Sequence, residues 1–267
     1  MIKIELPKLK LRQNEQIPRI IHYCWFGGKP LPPLAKKCLK SWKKYLPDYQ
    51  IVRWDENSFD VNAHPFTKEA LEAKKWAFIT DYVRLFVLHE IGGVYMDTDV
   101  EVIKPIDEFL VHSAFSSFES PFLIPTGLMS SSKHNSWIST LLEYYDNKHF
   151  FDKDGNSELI ANTNIITQIS QEKFNLQITN SYQVLEGDVH IYPSDYFCPM
   201  NWETKRIEPT NISYALHHFA GSWIEGKEKE KYIKFRKRLG RMLHTAIGGS
   251  FYEAIANNSW RKFLKLK

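Results

Sequence analysis

The chain has few cysteines, no long apolar run and no repeats. Cys24, Cys38 and Cys198 are the three cysteines among 267 residues, and they are far apart, with no CxxC pair. A thiolate zinc site needs closer spacing, and an odd, scattered set is not a disulfide framework. These thiols are expected to fill core space in a reducing compartment. No apolar stretch approaches the roughly 18–20 residues that a membrane-spanning helix needs, and no basic-then-apolar leader opens the chain. The expected location is therefore cytoplasmic. Hydrophobic residues make up 43% of the sequence and aromatics 14%. A chain of this size can bury a full core without covalent staples.

Charge is unevenly placed. The whole chain carries 35 basic and 31 acidic residues. The 44 residues from Ile224 onward hold 12 Lys/Arg and 4 Asp/Glu, a net of +8, which leaves −4 for everything before them. Within this tail, Tyr232, Phe235, Leu239, Met242 and Leu243 recur at helical spacing among the basic residues. Two readings stay open: helices packed on the rest of the chain, or an amphipathic attachment to an anionic membrane surface. Nucleic-acid binding is a poorer account, because the rest of the chain is acidic and no nucleic-acid-binding motif is present.

Upstream of the tail, strand and helix patterns alternate. Residues 17–25 form a β-rich run closed by Gly27-Gly28. Pro32-Pro33 open a helix with Leu34, Cys38, Trp42 and Tyr45 on one stripe, which Pro47 ends. Residues 49–54 read as a strand, 66–90 as mainly helix and 94–103 as strand. Such alternation predicts an α/β fold with a largely parallel sheet, whose ligands bind beyond the carboxyl ends of the strands. Residues 115–199 parse less clearly. They hold a turn at Thr126-Gly127, a helix near residues 137–145 and a polar loop at 152–157.

The most informative segment is ITDYVRLFVLHEIGGVYMDTD, residues 79–99. Ala77, Phe78, Leu85 and Leu88 mark an apolar helix face, with Asp81 and Arg84 one turn apart beside it. Gly92-Gly93 fit a helix stop with positive φ. The strand that follows ends on Asp97 and Asp99, which alternation places on one face. Two carboxylates on one face repel unless a cation lies between them, and hard oxygen ligands suit Mg²⁺ or Mn²⁺. Such an ion can carry the phosphates of a nucleotide.

This segment resembles the signature of the Asp-x-Asp sugar transferases grouped as glycosyltransferase family 32. That family includes bacterial capsular-polysaccharide transferases and fungal mannosyltransferases, and is similar to the glucosyltransferase domain of large clostridial toxins. IPRIIHYCWFGGKPLP near the start and ALHHFAGSW at residues 215–223 resemble two further family blocks in the same order. The resemblance implies a GT-A-like, Rossmann-related catalytic domain over residues 17–224, after a short extension over 1–16 and before a basic helical tail over 225–267. It implies Asp97, Asp99 and His218 as metal ligands, with His217 packing behind the sheet. It also implies Trp25 stacked on a uracil base, Thr80 and Tyr95 near the nucleotide, and Ser222 and Trp223 on a loop over the diphosphate. Asp81 and Arg84 hold the donor sugar, and Asn162 and Asn164 lie near the reacting carbon.

The expected activity is therefore metal-dependent, retaining transfer from a nucleotide sugar, expected to be a UDP-sugar, to a saccharide or lipid-linked acceptor in surface-polysaccharide synthesis. Asp81, Arg84, Asp97 and Asp99 are the catalytic group. No nucleic-acid partner is expected. Three other readings share the site. One is a nucleotide-sugar hydrolase, one an effector that glycosylates proteins, and one a non-catalytic carbohydrate-binding protein.

Overall fold

The computed structural model describes residues 2–5, 11–157, 160–201, 204 and 206–221. It contains two compact units, residues 1–200 with 207–220, and residues 201–206 with 221–267. Ser222, Trp223 and the basic tail lie outside the described residues.

The first unit is the expected α/β fold. In chain order its elements are β1 (Ile20–Cys24), α1 (Pro33–Tyr45), β2 (Gln50–Trp54), α2 (Pro65–Glu72), α3 (Trp76–Glu90), β3 (Gly93–Met96), β4 (Val100–Val102), β5 (Ala114–Ser117), β6 (Leu128–Ser131), α4 (Ser136–Glu143), α5 (Asn162–Phe174), β7 (Gln183–Leu185), β8 (Val189–Tyr192) and α6 (Ser194–Phe197). Two-residue strands β9 (Met200–Asn201) and β10 (Arg206–Ile207) precede β11 (Ala215–His217). Seven strands form one sheet in the order β2-β1-β3-β6-β5-β8-β7. Five run the same way, and β6 and β7 are reversed. A separate antiparallel pair joins β11 to β4.

Alternation along the strands divides the core into two layers. Ile20 and Cys24 of β1, Val52 and Trp54 of β2 and Tyr95 of β3 face one layer, which α2, α3, α4 and α5 cover. Ile21, Tyr23, Val94 and Met96 face the other, with Trp42 of α1 and Phe197 of α6. Among the described residues three tryptophans are completely buried, and each indole N–H finds an acceptor: Trp42 donates to the Val100 carbonyl, Trp54 to His22 Nδ1 and Trp137 to Ser170 Oγ. Burying these rings therefore leaves no orphaned donor. All three cysteines are buried, and none forms a disulfide.

The stretch read as mainly helix over 66–90 is so, in two helices, with the chain breaking between them at Lys74 with φ +55°. α3 is also more enclosed than a one-sided stripe predicts: Ile79, Val83, Arg84, Leu85, Val87 and Leu88 are all buried. After α3 the chain turns through Gly92 (φ +75°) and Gly93 (φ +119°). A Cβ on Gly93 would stand 2.7 Å from the Ile20 carbonyl oxygen, so this glycine lets β3 lie against β1.

Residues 94–103 were expected to be one strand. They form two, β3 and β4, with a turn between them closed by the Val100 N–H donating to the Asp97 carbonyl at 3.0 Å. Asp and Thr favour such a turn, because their short polar side chains compete with ladder hydrogen bonds. The N-terminal stretch is tied to the same unit, since Lys3 N–H donates to the Ser58 carbonyl and Ile2 bridges Phe59.

Candidate active site

α3 runs antiparallel to β3, so its first turns lie at the carboxyl ends of the parallel strands. Asp81 and Arg84, one turn apart, therefore stand over the chain leaving β3. Arg84 Nη2 donates to Asp81 Oδ1 at 3.0 Å, and Nη1 lies 3.5 Å from Asp97 Oδ1. Nη1 also donates to the Thr126 carbonyl. The guanidinium carbon sits 4.7 Å from the centre of the Tyr95 ring, whose hydroxyl donates to Asp97 Oδ1 at 2.8 Å. Arg84 thus binds Asp81, Asp97 and Tyr95 into one buried group. Its Nε has no hydrogen-bond partner among the described residues.

Two segments from elsewhere complete this floor. β6 is reversed, so its start meets the end of β3, and the Asp97 N–H donates to the Gly127 carbonyl at 2.8 Å. Asn162, in the first turn of α5, stands beside Asp81 and favours its ionised form, while Tyr145 O–H donates to Asn162 Oδ1. Burial is the largest influence on Asp81 and lifts its pKa to about 6. Arg84 pulls it down, and Asp97 pushes it up. Burial opposes the charge on Arg84 as well, but Tyr95, Asp97 and Asp81 outweigh it, and its pKa is raised.

Asp97 and Asp99 converge by a different route from the one their spacing suggested. They flank a turn, and the β4–β11 pair supplies the third group. In that antiparallel register His217 lies opposite Val100. His217 Nε2 stands 3.4 Å from Asp99 Oδ1, and ligand atoms of Asp97, Asp99 and His217 all lie within 4.8 Å of one another. Burial disfavours a charged Asp99. The attraction of His217, its hydrogen bond and the Ala220 N–H at 2.7 Å outweigh burial and hold the carboxyl at about 2. His217 is raised in turn, with Asp99 overcoming its burial. The Ala220 N–H and the Tyr95 hydroxyl each fix one oxygen of a carboxylate, the kind of outer support that orients metal ligands.

His218, expected as the third ligand, is elsewhere. Its Nε2 lies 2.8 Å from Glu101 Oε2, which also accepts from Lys37. His217, expected behind the sheet, instead joins the aspartates. The next residue along a strand faces the opposite way, so one position decides which imidazole enters the cluster. Gly127 makes room for it: a Cβ there would come within 2.9 Å of His217 Cε1.

Trp25 directly follows β1, half-buried, with its indole N–H donating to the Lys29 carbonyl. The loop after it packs on the start of α3, where a Cβ on Gly27 would meet the Trp76 ring at 2.9 Å. The Thr80 hydroxyl donates to the Trp76 carbonyl one turn back. Asn164 N–H donates to the Ala161 carbonyl in the first turn of α5. Sequence reasoning did not place His217, Tyr145 or the Thr126 carbonyl in this group, nor the close approach at Gly127. The turn at Thr126-Gly127 was the only visible signal of the last two.

With this geometry in view, residues 32–116 match the family model of the glycosyltransferase sugar-binding region containing the DXD motif. The chain is 28% identical over 146 residues to inositol phosphoceramide mannosyltransferase 3 of Schizosaccharomyces pombe, a match covering 52% of this chain and 41% of that one. It is 29% identical over 142 residues to mannosyl phosphorylinositol ceramide synthase SUR1 of Saccharomyces cerevisiae, covering 51% and 37%. The matches therefore span about two fifths of these relatives' length. Among solved structures, the galactosyltransferase LgtC in complex with donor and acceptor sugar analogues is similar at TM-score 0.40 and 13% identity, covering 88% of this chain and 99% of that one. The PaToxG glycosyltransferase is similar at TM-score 0.46 and 19% identity, covering 60% and 71%.

Proposed function

We propose that this chain is a glycosyltransferase of GT-A type that moves a sugar from a nucleoside-diphosphate sugar to a saccharide or lipid-linked acceptor. The observation that carries this reading is the meeting of Asp97, Asp99 and His217 with the Asp81–Arg84 pair at the carboxyl ends of the strands. The family match and the two mannosyl-transferring relatives support the class.

The residues fit a divalent cation. Two carboxylates and one imidazole form a donor set that suits Mn²⁺ or Mg²⁺, and Asp99 stays ionised far below neutral pH. When bound, the cation offsets the negative charge that gathers on the departing diphosphate. Asp81 accepts hydroxyls of the donor sugar, and Arg84 holds Asp81 and Asp97 at a fixed spacing. Binding energy is then spent on orientation, so that the acceptor oxygen meets the anomeric carbon from one side. Trp25 offers its ring to the base at the end of β1, which makes a UDP-sugar the first donor to try. The relatives' names make a mannose donor the second. Retention of the anomeric configuration, surface-polysaccharide acceptors and attachment to the inner face of a membrane are parts of the same proposal. No helix among the described residues is long and apolar enough to cross a membrane.

Incubation with a panel of UDP-sugars and GDP-mannose, with Mn²⁺, Mg²⁺ or excess chelator, tests this reading. Donor turnover is expected only with metal, and the anomer of the product reads retention. Asp99→Ala should cost on the order of a hundredfold or more in turnover while the melting curve stays cooperative. Undiminished turnover in excess chelator refutes the site.

A further inference from the structure

α3 carries Asp81 and Arg84 near its start, and a second set of ligand-type side chains lies at its other end. His89 and Glu90 close the helix, and His134 sits in the turn between β6 and α4. Ligand atoms of these three lie within 4.8 Å of one another. His89 Nε2 and His134 Nδ1 face each other at 3.5 Å, with the rings edge to face at 70°. A separation of that size is what two nitrogens show when each binds the same tetrahedral ion at roughly 2.0–2.1 Å. The remaining nitrogen of His89, Nδ1, lies 3.0 Å from Glu90 Oε1. A carboxylate on the far nitrogen fixes the ring and its tautomer and leaves the near nitrogen free to bind a metal.

The backbone holds the pair in place. His134 N–H donates to the His89 carbonyl at 2.9 Å, and His134 adopts φ +57°, a conformation uncommon outside glycine that Asn, Asp and His tolerate better than other residues. A second histidine cluster shows the contrast. In His112–Asp188–His190 the two rings stack at 3.5 Å, and the neighbouring ring nitrogens are already engaged. His112 Nε2 meets the Tyr192 hydroxyl, His190 Nδ1 the Tyr182 hydroxyl, and His190 Nε2 Asp188. Among the described residues, the facing nitrogens of His89 and His134 meet only each other, at 3.5 Å, with no hydroxyl or carboxylate on either.

We propose that His89 and His134, with Glu90, form a second metal site for a borderline transition ion such as Zn²⁺, at the amino end of the strands. Two imidazoles favour Zn²⁺ over Mg²⁺, which prefers oxygen ligands. An ion there clamps the end of α3 to the β6–α4 turn, and so fixes the helix that carries Asp81 and Arg84. The site takes no part in the transfer chemistry.

The test uses the full chain stripped of metal, in an Asp99→Ala background that cripples the donor-side cluster. Zn²⁺ is titrated by calorimetry, and thermal melting is followed with and without saturating Zn²⁺. One equivalent is expected to bind and raise the melting temperature. Adding His134→Asn, which tolerates the same backbone conformation, should weaken Zn²⁺ binding at least about tenfold and abolish the thermal shift. His89→Gln in the same background should do likewise, so a folding defect in one variant does not decide the result. Bound Co²⁺ should show ligand-field absorption in the Asp99→Ala protein and lose it with either histidine variant. Zn²⁺ affinity unaffected by both histidine substitutions, or no Zn²⁺ binding to the Asp99→Ala protein at all, overturns the proposal.

Discussion

Two buried polar groups, one on β1 and one on α3, are built on opposite plans. His22, in the middle of β1, is fully enclosed. It accepts the Trp54 indole N–H on Nδ1 and faces the Gly92 carbonyl with Nε2 at 2.8 Å. One donor and one acceptor match the neutral ring with its proton on Nε2, and burial lowers its pKa to about 4. Arg84, at the carboxyl ends of the strands, is 4% exposed and stays charged between two carboxylates, with Nε unpartnered among the described residues. A group whose partners close around it completes the core. A group outnumbered by the opposite charges around it, with capacity to spare, keeps unresolved electrostatic energy that a ligand can relieve.

The sharpest way to break this contrast is to remove the cation. Arg84→Met leaves Asp81 and Asp97 without their buried partner. It should cost about 3–5 kcal/mol in urea denaturation, and Arg84→Met with Asp81→Asn should regain part of it. If the single variant is as stable as wild type, Arg84 is not the hub described.

The His22 side of the comparison is probed by pH. Its folded pKa lies below the unfolded value of about 6.5, so the unfolded chain binds the extra proton. Its contribution is complete above about pH 6.5 and is lost as pH falls toward 4, at most roughly 3 kcal/mol. Asp81, raised to about 6, acts in the opposite sense, favouring the folded state as pH falls through its folded value. The comparison is therefore between wild type and His22→Gln, with wild type losing more stability between pH 6.5 and 4. Equal slopes, or a His22 ring that titrates near 6.5 by NMR, contradict the neutral tautomer.

The smallest effect is expected at Gly127. Gly127→Ala forces a Cβ against His217 and should cost about 1–3 kcal/mol, with a weaker dependence of donor turnover on metal. Unchanged metal dependence would place His217 outside the site.

The part of the site written in one local segment was legible. Asp81, Arg84, Asp97 and Asp99 fall within 19 residues of sequence, and helix periodicity alone sets the first pair. The choice between His217 and His218 was not, because it depends on the register of β11 against β4, a pairing across more than a hundred residues that no local pattern encodes. Strands β5 and β6, AFSS and LMSS, were also hidden. They are four residues long, serine-rich and buried, so they show neither alternation nor a strong β signature. Their serines bond backbone carbonyls instead: Ser116 to Leu128, Ser130 to Gly93 and Ser131 to Leu88.

The late arrival of β11 also sets a clock on synthesis. The Ala220 N–H that steadies Asp99 lies 121 residues beyond it in the chain. At ribosomal rates of about 5–20 residues per second, the segment carrying His217 and Ala220 follows the aspartates by roughly 6–24 s. During that interval the nascent chain holds its two carboxylates without the histidine and the backbone N–H that stand beside Asp99 in the folded chain.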